Sequence, residues 1–171
     1  MFDDARILGH VFAAPYGLFE PSLAFVAEDE AGVGGYVVGA LDSRAFEERL
    51  EAEWWPALRD RYPAPPSGLA PDQWTPDQRA AGFIHVPLTV PDELAGDYPS
   101  HLHINLLPRL QSQGLGRQLM STEMHALREQ GSAGLHFFVW PANQRAVGFY
   151  RHLGFAMISP GIFAWDLRSA A

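Results

Sequence analysis

The segment Pro108-Arg109-Leu110-Gln111-Ser112-Gln113-Gly114-Leu115-Gly116 joins an apolar run, His101–Leu107 (HLHINLL), to an amphipathic stretch, Gly114–Gln130. It reads as a strand that turns into a helix through a bend with an open backbone. Two glycines at spacing two permit unusual dihedral angles and remove side chains that would block a ligand. The N–H groups of such a bend, with the unpaired N–H groups of the first helical turn, form an anion-binding concavity to which the helix dipole adds. Arg109 or Arg117 would supply a cation. Taken alone, Gly-x-Gly fits a plain tight turn equally well. It lacks the third glycine of a dinucleotide fingerprint and the Gly-Lys-Ser/Thr of a nucleoside-triphosphate loop.

Around this bend the pattern is that of one α/β domain. Leu23–Glu28 and Val33–Leu41 read as an antiparallel hairpin about a turn at Glu28–Gly32. Ser43 reads as the N-cap of a helix over Ala45–Arg61, where Phe46, Leu50, Trp54 and Leu58 recur every four residues and Pro56 should kink or end it. Eight of the fourteen prolines fall between Pro63 and Pro99, which predicts a proline-rich arm over 62–99 interrupted by a short extended piece, Phe83–Val90. The helix after the bend has Leu115, Leu119, Met120, Met124 and Leu127 on its apolar face, and Gly131 suits its C-terminal cap. Leu135–Trp140 reads as a buried strand and Asn143–Leu153 as a short helix closed by Gly154. Phe155–Ile158 and Ile162–Leu167 read as a last strand pair. Strand, loop, helix, strand, helix, strand, strand is the order of an α/β domain with a mixed sheet.

Composition narrows the function. Hydrophobic residues make up 47% of the 171 and charged residues 19%, which is globular composition. A formal charge of −8 speaks against nucleic-acid binding, which draws on Lys and Arg, and is compatible with a cationic acceptor. No stretch reaches the ~20 apolar residues of a membrane helix, and Met1–His10 lacks the features of a signal peptide. The chain has no cysteine, so it carries no disulfide or thiolate zinc site, and a cytoplasmic location is expected.

About thirty residues past the bend comes Asn143-x-x-Ala146-x-x-Phe149-Tyr150-x-x-x-Gly154-Phe155. Together with Leu106-x-Pro108-x-x-Gln111-x-x-Gly114-x-Gly116, in this order and separation, it resembles the two signature segments of the GCN5-related N-acetyltransferases (GNAT). The resemblance implies a mixed, mostly antiparallel sheet with flanking helices and a splayed central strand pair. It further implies acetyl-coenzyme A as cosubstrate and an amine as acceptor. The backbone of Leu106 and Leu107 would hold the pantetheine arm, and the N–H groups of Gln111, Gln113, Gly114, Leu115, Gly116 and Arg117 the pyrophosphate. Asn143 would contact the coenzyme arm, a role that competes with helix capping. Tyr150 would act as general acid on the departing thiolate, a role that competes with plain core packing beside Phe149.

More of the chain, residues 8–167, resembles bacterial acetyltransferases related to the C-terminal acetyltransferase-like domain of eukaryotic O-GlcNAcase, in phrases such as HVFAAPY, EWWPALRDRYP and YPSHLHINLLPRLQSQGLG. Against that family's pattern the first strand and helix are missing, which leaves a sheet edge open. Self-association as a homodimer, or a supplementing strand, is expected there.

The base is less plainly written. His101, His103 and Asn105 alternate onto one face of the strand, and a histidine can take a proton from an ammonium. His103, nearer the splay, is the candidate, although either histidine also fits an ordinary sheet position. With His85 elsewhere and no clear third ligand, no metal site is expected. Trp54, Trp55, Tyr16 and Phe12 fit either an acceptor pocket or the core. The expected activity is acetyl transfer to an amine of a small molecule or peptide; the alternative is a catalytically silent coenzyme-binding or protein-interaction module.

Overall fold

A computed structural model describes residues 2–168. Helices α1 (Ile7–Phe12) and α2 (Ala14–Phe19) lead into the hairpin β1 (Ala24–Asp29) and β2 (Gly32–Ala40). Then come α3 (Ser43–Arg49), α4 (Trp55–Arg61), α5 (Pro76–His85), α6 (Asp92–Asp97) and β3 (Ser100–Leu106). The chain continues through α7 (Leu115–Glu129), β4 (Gly134–Phe138), α8 (Gln144–His152), β5 (Ala156–Ser159) and β6 (Ile162–Asp166). The strands form one sheet in the order β1-β2-β3-β4-β6-β5. All neighbours are antiparallel except β3 and β4. This is the α/β class with a mixed, mostly antiparallel sheet that the sequence predicts.

The parallel pair is short. β3 and β4 are in register only at Ser100–Leu135 and His101–His136. β3 then stays with β2 as far as Leu106, opposite Gly35, while β4 stays with β6 as far as Phe138, opposite Ile162. Each strand keeps its antiparallel partner, the two halves of the sheet twist away from each other, and a gap opens between them.

Period-two alternation sorts the side chains onto two faces. On one, Val37, Leu102, Leu135, Phe137 and Phe163 pack against Leu119, Met120, Leu127, Val147 and Tyr150 of α7 and α8. On the other, Val38 and Ala40 pack against Ile7, Tyr16, Phe46, Trp55, Leu58 and Ile84 from α1 to α5. Each fully buried side chain of this size contributes about 1.5–3 kcal/mol. Trp55 and Tyr16 are therefore core residues, and the Trp54 indole N–H donates to the His10 carbonyl at 2.9 Å.

Four local expectations change. Asp42, not Ser43, caps α3, its carboxylate accepting from Ala45 N–H at 3.0 Å. Ser43 begins the helix instead, and its hydroxyl turns inward. Pro56 does not end the helical run: the chain widens over Leu50–Trp54, with Trp55 N–H bonded to Leu50 O, and Pro56 falls in the first turn of α4, where no N–H is needed. The supposed arm over 62–99 contains α5 and α6, and Phe83 lies in a helix rather than an extended piece. Thr75 and Gln78 form a capping box around Pro76, so this proline starts a helix. Trp140, beyond β4, is 70% exposed rather than buried.

β1 is an outer strand. Among the described residues no strand pairs with its far edge, and α1 and α2 lie over the second face rather than along it.

The apolar face of α7 includes a residue that periodicity alone missed. Glu123 is fully buried, and neither carboxyl oxygen has a hydrogen-bond partner among the described residues. It faces Gly39 of β2, where an added methyl group would collide with its Oε1. Burial pushes its pKa up to about 8, so it is protonated at neutral pH. The folded state then holds a proton that the unfolded chain releases near pH 4.5. Its contribution to stability is complete below that pH and is lost as pH rises through about 8. Urea midpoints measured across this range should fall with rising pH in the parent chain and fall less in Glu123→Gln.

Candidate active site

The gap and the bend meet where β3 ends. Leu107 N–H donates to Gly34 O of β2 at 2.7 Å, and Leu107 O accepts from Leu110 N–H at 2.9 Å. Both backbone groups of Leu107 are thus engaged within the chain. Alternation turns the N–H and C=O of Leu106 the other way, toward the gap. The Leu106 carbonyl accepts from Gln111 Nε2 at 2.7 Å.

The bend is built around two residues in the left-handed region, Ser112 (φ 62°) and Gly114 (φ 84°). The first bond of α7 runs from Gln118 N–H to Gly114 O, so the N–H groups of Leu115, Gly116 and Arg117 precede the ladder. The two glycines have different duties. Gly114 is needed for its backbone conformation, and nothing lies within 4 Å of where a Cβ would sit. Gly116 is needed for packing: a Cβ there would come 3.2 Å from Phe149 and 3.4 Å from Leu106.

Of the two cations expected at this bend, Arg109 does not face it. Arg109 points away, to Asp29 Oδ2 at 2.9 Å and the carbonyls of Gly32 and Val33. Arg145, in the first turn of α8, reaches the bend instead. It donates to Gln111 Oε1 at 2.6 Å and to Ser112 Oγ at 3.2 Å. Arg117 is exposed in the first turn of α7. Neither first turn contains an acidic residue. Positive side chains at the positive ends of two helix dipoles are unfavourable unless an anion joins them. Asn143 caps α8, its Oδ1 accepting from Ala146 N–H at 3.1 Å, so its side-chain oxygen has a structural duty.

Tyr150 lies on the α7/α8 face, its ring among Phe137, Phe149, Phe155 and Phe163, with centroids 4.5 to 6.1 Å away. Its hydroxyl has no hydrogen-bond partner among the described residues. Burial raises its pKa to about 12, so it keeps its proton.

The histidines lie on the opposite face. His101 and His103 of β3 sit opposite Ala40 and Val38, and His136 of β4 pairs with His101, the two rings 6.0 Å apart. Phe12 and Tyr16 flank His103, with ring centroids 5.4 and 5.5 Å away. Burial lowers the pKa of His103 to about 4 and holds those of His101 and His136 down, leaving all three neutral at pH 7. His136 donates from Nδ1 to Tyr98 O at 2.7 Å, since a carbonyl can only accept. The sequence reading missed His136 and Arg145. Parallel register with His101 would have marked the first, and a position two residues beyond the α8 cap the second.

A split mixed sheet, with a nitrogen-lined bend at the head of the helix that follows the splayed strand, defines an acyltransferase fold of the α/β class. The chain belongs to the Acetyltransferase (GNAT) family, whose sequence profile matches residues 10–155. Among solved structures it is similar to SsHAT, at 38% identity over 97% of this chain and 83% of that one, with a TM-score of 0.84. Naa20 of Chaetomium thermophilum, solved in complex with a bisubstrate analogue, shares the fold at 19% identity and a TM-score of 0.50, over 96% of this chain and 80% of that one. Protein O-GlcNAcase of Rattus norvegicus and of Mus musculus is 25% identical over 140 residues, which is 81% of this chain. The matched part is only 15% of the length of those curated relatives.

Gly114→Ala forces a left-handed residue with a Cβ and should cost about 1–2 kcal/mol. Gly116→Val requires Phe149 and Leu106 to shift and should cost about 1–3 kcal/mol. Urea denaturation of the two variants checks both values.

Proposed function

We propose that this chain transfers the acetyl group of acetyl-coenzyme A to an amine. The observation that carries the reading is the junction of the β3/β4 gap with a bend onto which two helix N-termini and Arg145 converge. It offers backbone nitrogens and a cation to a diphosphate, beside two strands that part after two shared register positions. Acetyl-coenzyme A supplies the acetyl group as an activated thioester.

In this reading the N–H groups of Gln111 to Arg117 and the Arg145 guanidinium hold the pyrophosphate. Leu106 N–H and C=O orient the pantetheine amides, which displaces the Gln111 amide from the Leu106 carbonyl. Backbone N–H at the gap stabilises charge that develops on the acetyl oxygen. His103 takes the proton that the amine nitrogen sheds as it bonds to the acetyl carbon, a stage at which that nitrogen is far more acidic than a free ammonium. Tyr150 gives its hydroxyl proton to the sulfur as the carbon–sulfur bond breaks. The protonation states fit, with a neutral imidazole on one face of the sheet and a protonated phenol on the other. In this reading the acceptor and the coenzyme approach from opposite faces of the sheet. Net charge and the resemblance to acetyltransferase-like domains favour a cationic amine acceptor of small-molecule or peptide type.

Coenzyme A should raise the melting temperature of the parent chain. Arg145→Gln should weaken coenzyme A binding about tenfold, the size of one charge-assisted contact, in calorimetry at low salt. Failure of coenzyme A to bind the parent chain would sink the reading. With an accepted amine, Tyr150→Phe should slow thiol release about 100-fold while leaving the KM for acetyl-coenzyme A nearly unchanged. The His103-dependent rate should be lost only as pH falls toward about 4, where the imidazole becomes protonated. Coenzyme binding with no turnover across a broad amine panel would point to a silent module instead.

A further inference from the structure

We infer that Ser43, acting through His101, is a positioning residue that directs the Tyr16 hydroxyl proton and leaves His103 as the histidine able to take the acceptor's proton. The role given to His103 rests on the acetyl-transfer reading; the arrangement of protons does not.

Four hydrogen bonds carry the argument. Ser43 N–H donates to the Pro99 carbonyl at 2.8 Å, and the Ser43 hydroxyl donates to the same carbonyl at 2.7 Å. Ser43 Oγ lies 2.7 Å from His101 Nδ1, and His101 Nε2 lies 2.8 Å from the Tyr16 hydroxyl oxygen. A serine hydroxyl has one proton, and a carbonyl has none to give. The Ser43 proton therefore goes to Pro99, and Ser43 Oγ accepts from His101 Nδ1–H. His101 is thereby set as the Nδ1–H tautomer, with a lone pair on Nε2. That lone pair accepts the Tyr16 proton, and the remaining lone pairs of the Tyr16 oxygen point elsewhere.

The surroundings keep this chain of bonds neutral. Tyr36 of β2, His103 of β3, His136 of β4 and Glu47 of α3 are the titratable groups that act on the Tyr16–His101 pair. Glu47 is engaged, accepting from Val90 N–H at 2.7 Å and pairing with Arg44 at 3.1 Å. The stacked Phe46 ring and burial complete the enclosure. Both ring nitrogens of His101 are thus occupied within the fold. The His103 ring, by contrast, makes no hydrogen bond among the described residues; it is held by contact with Phe12, Tyr16 and the ring of His101. The two histidines of the HLH run are therefore not equivalent: one is a fixed strut and the other an open base.

Two-bond ¹H–¹⁵N correlation spectra of the full chain labelled with ¹⁵N-histidine test this without any substrate. His101 should show the neutral Nδ1–H pattern throughout the range in which a free imidazole titrates. Ser43→Ala should convert it wholly or partly to Nε2–H, Ser43→Thr should preserve it, and Tyr16→Phe should leave Nδ1–H in place. A parent-chain His101 that is Nε2–H or positively charged at neutral pH would overturn the inference even if every variant failed to fold. So would Ser43→Ala with an unchanged tautomer. With an accepted amine, Ser43→Ala should lower kcat about tenfold at unchanged KM for acetyl-coenzyme A, and Ser43→Thr should restore it. Loss of coenzyme A binding by the parent chain would defeat the acetyl-transfer reading while leaving the spectroscopic result intact.

Discussion

Everything distinctive in this structure depends on two adjacent strands that share only two register positions. β3 and β4 meet at Ser100–Leu135 and His101–His136 and then part, because each is bound along its length to an antiparallel partner on its other side. A sheet that splits in this way leaves backbone hydrogen-bonding groups facing a gap in the middle of the core rather than at its edge. Such groups are costly to leave unpaired. In the structure the Gln111 side chain meets the carbonyl of Leu106, a protein amide in the place where a ligand amide would be equally suited. The strands that part also lie between the two layers of side chains. They separate a face of neutral histidines from a face carrying a protonated tyrosine.

Charge follows the same plan. The chain is acidic as a whole, yet the bend is met by Arg145 and lies beside Arg117, at the starts of two helices that carry no acid in their first turns. A surface that repels anions at long range carries a local exception where helix dipoles, backbone nitrogens and guanidinium groups add together. Glu123 shows the opposite treatment of charge. It lies in an apolar layer against a glycine, with neither carboxyl oxygen partnered among the described residues, and burial keeps it protonated.

The parts of the fold that were legible from the residues were those set by local rules. Apolar, β-prone runs between turn residues marked the six strands, and period-3.6 patterning marked the long helix, because burial selects such residues whatever the neighbours are. Where several local rules competed, the reading failed. Pro76, one of the eight prolines that suggested an arm, is a helix start, because Thr75 and Gln78 cap around it. Ser43 looked like a cap, but Asp42 caps α3 and leaves the serine hydroxyl free to meet His101, a residue distant in sequence. Arg109 was the nearer cation in sequence to the bend, and the hairpin carboxylate of Asp29 draws it away.

By itself the sequence determined the α/β class, the position of the bend, and the family, since the Gln111–Gly116 and Asn143–Phe155 segments carry their spacing in plain order. Those properties depend on residues close together in the chain, whose geometry is limited by backbone sterics and helix periodicity. Only the tertiary structure decided which arginine reaches the bend, which histidine has its nitrogens occupied, and that Tyr150 and His103 stand on opposite faces. Such choices depend on the register of β3 against β4 and on the approach of α3 and α8 to the strands. No local pattern encodes them, because they arise from packing between segments tens of residues apart.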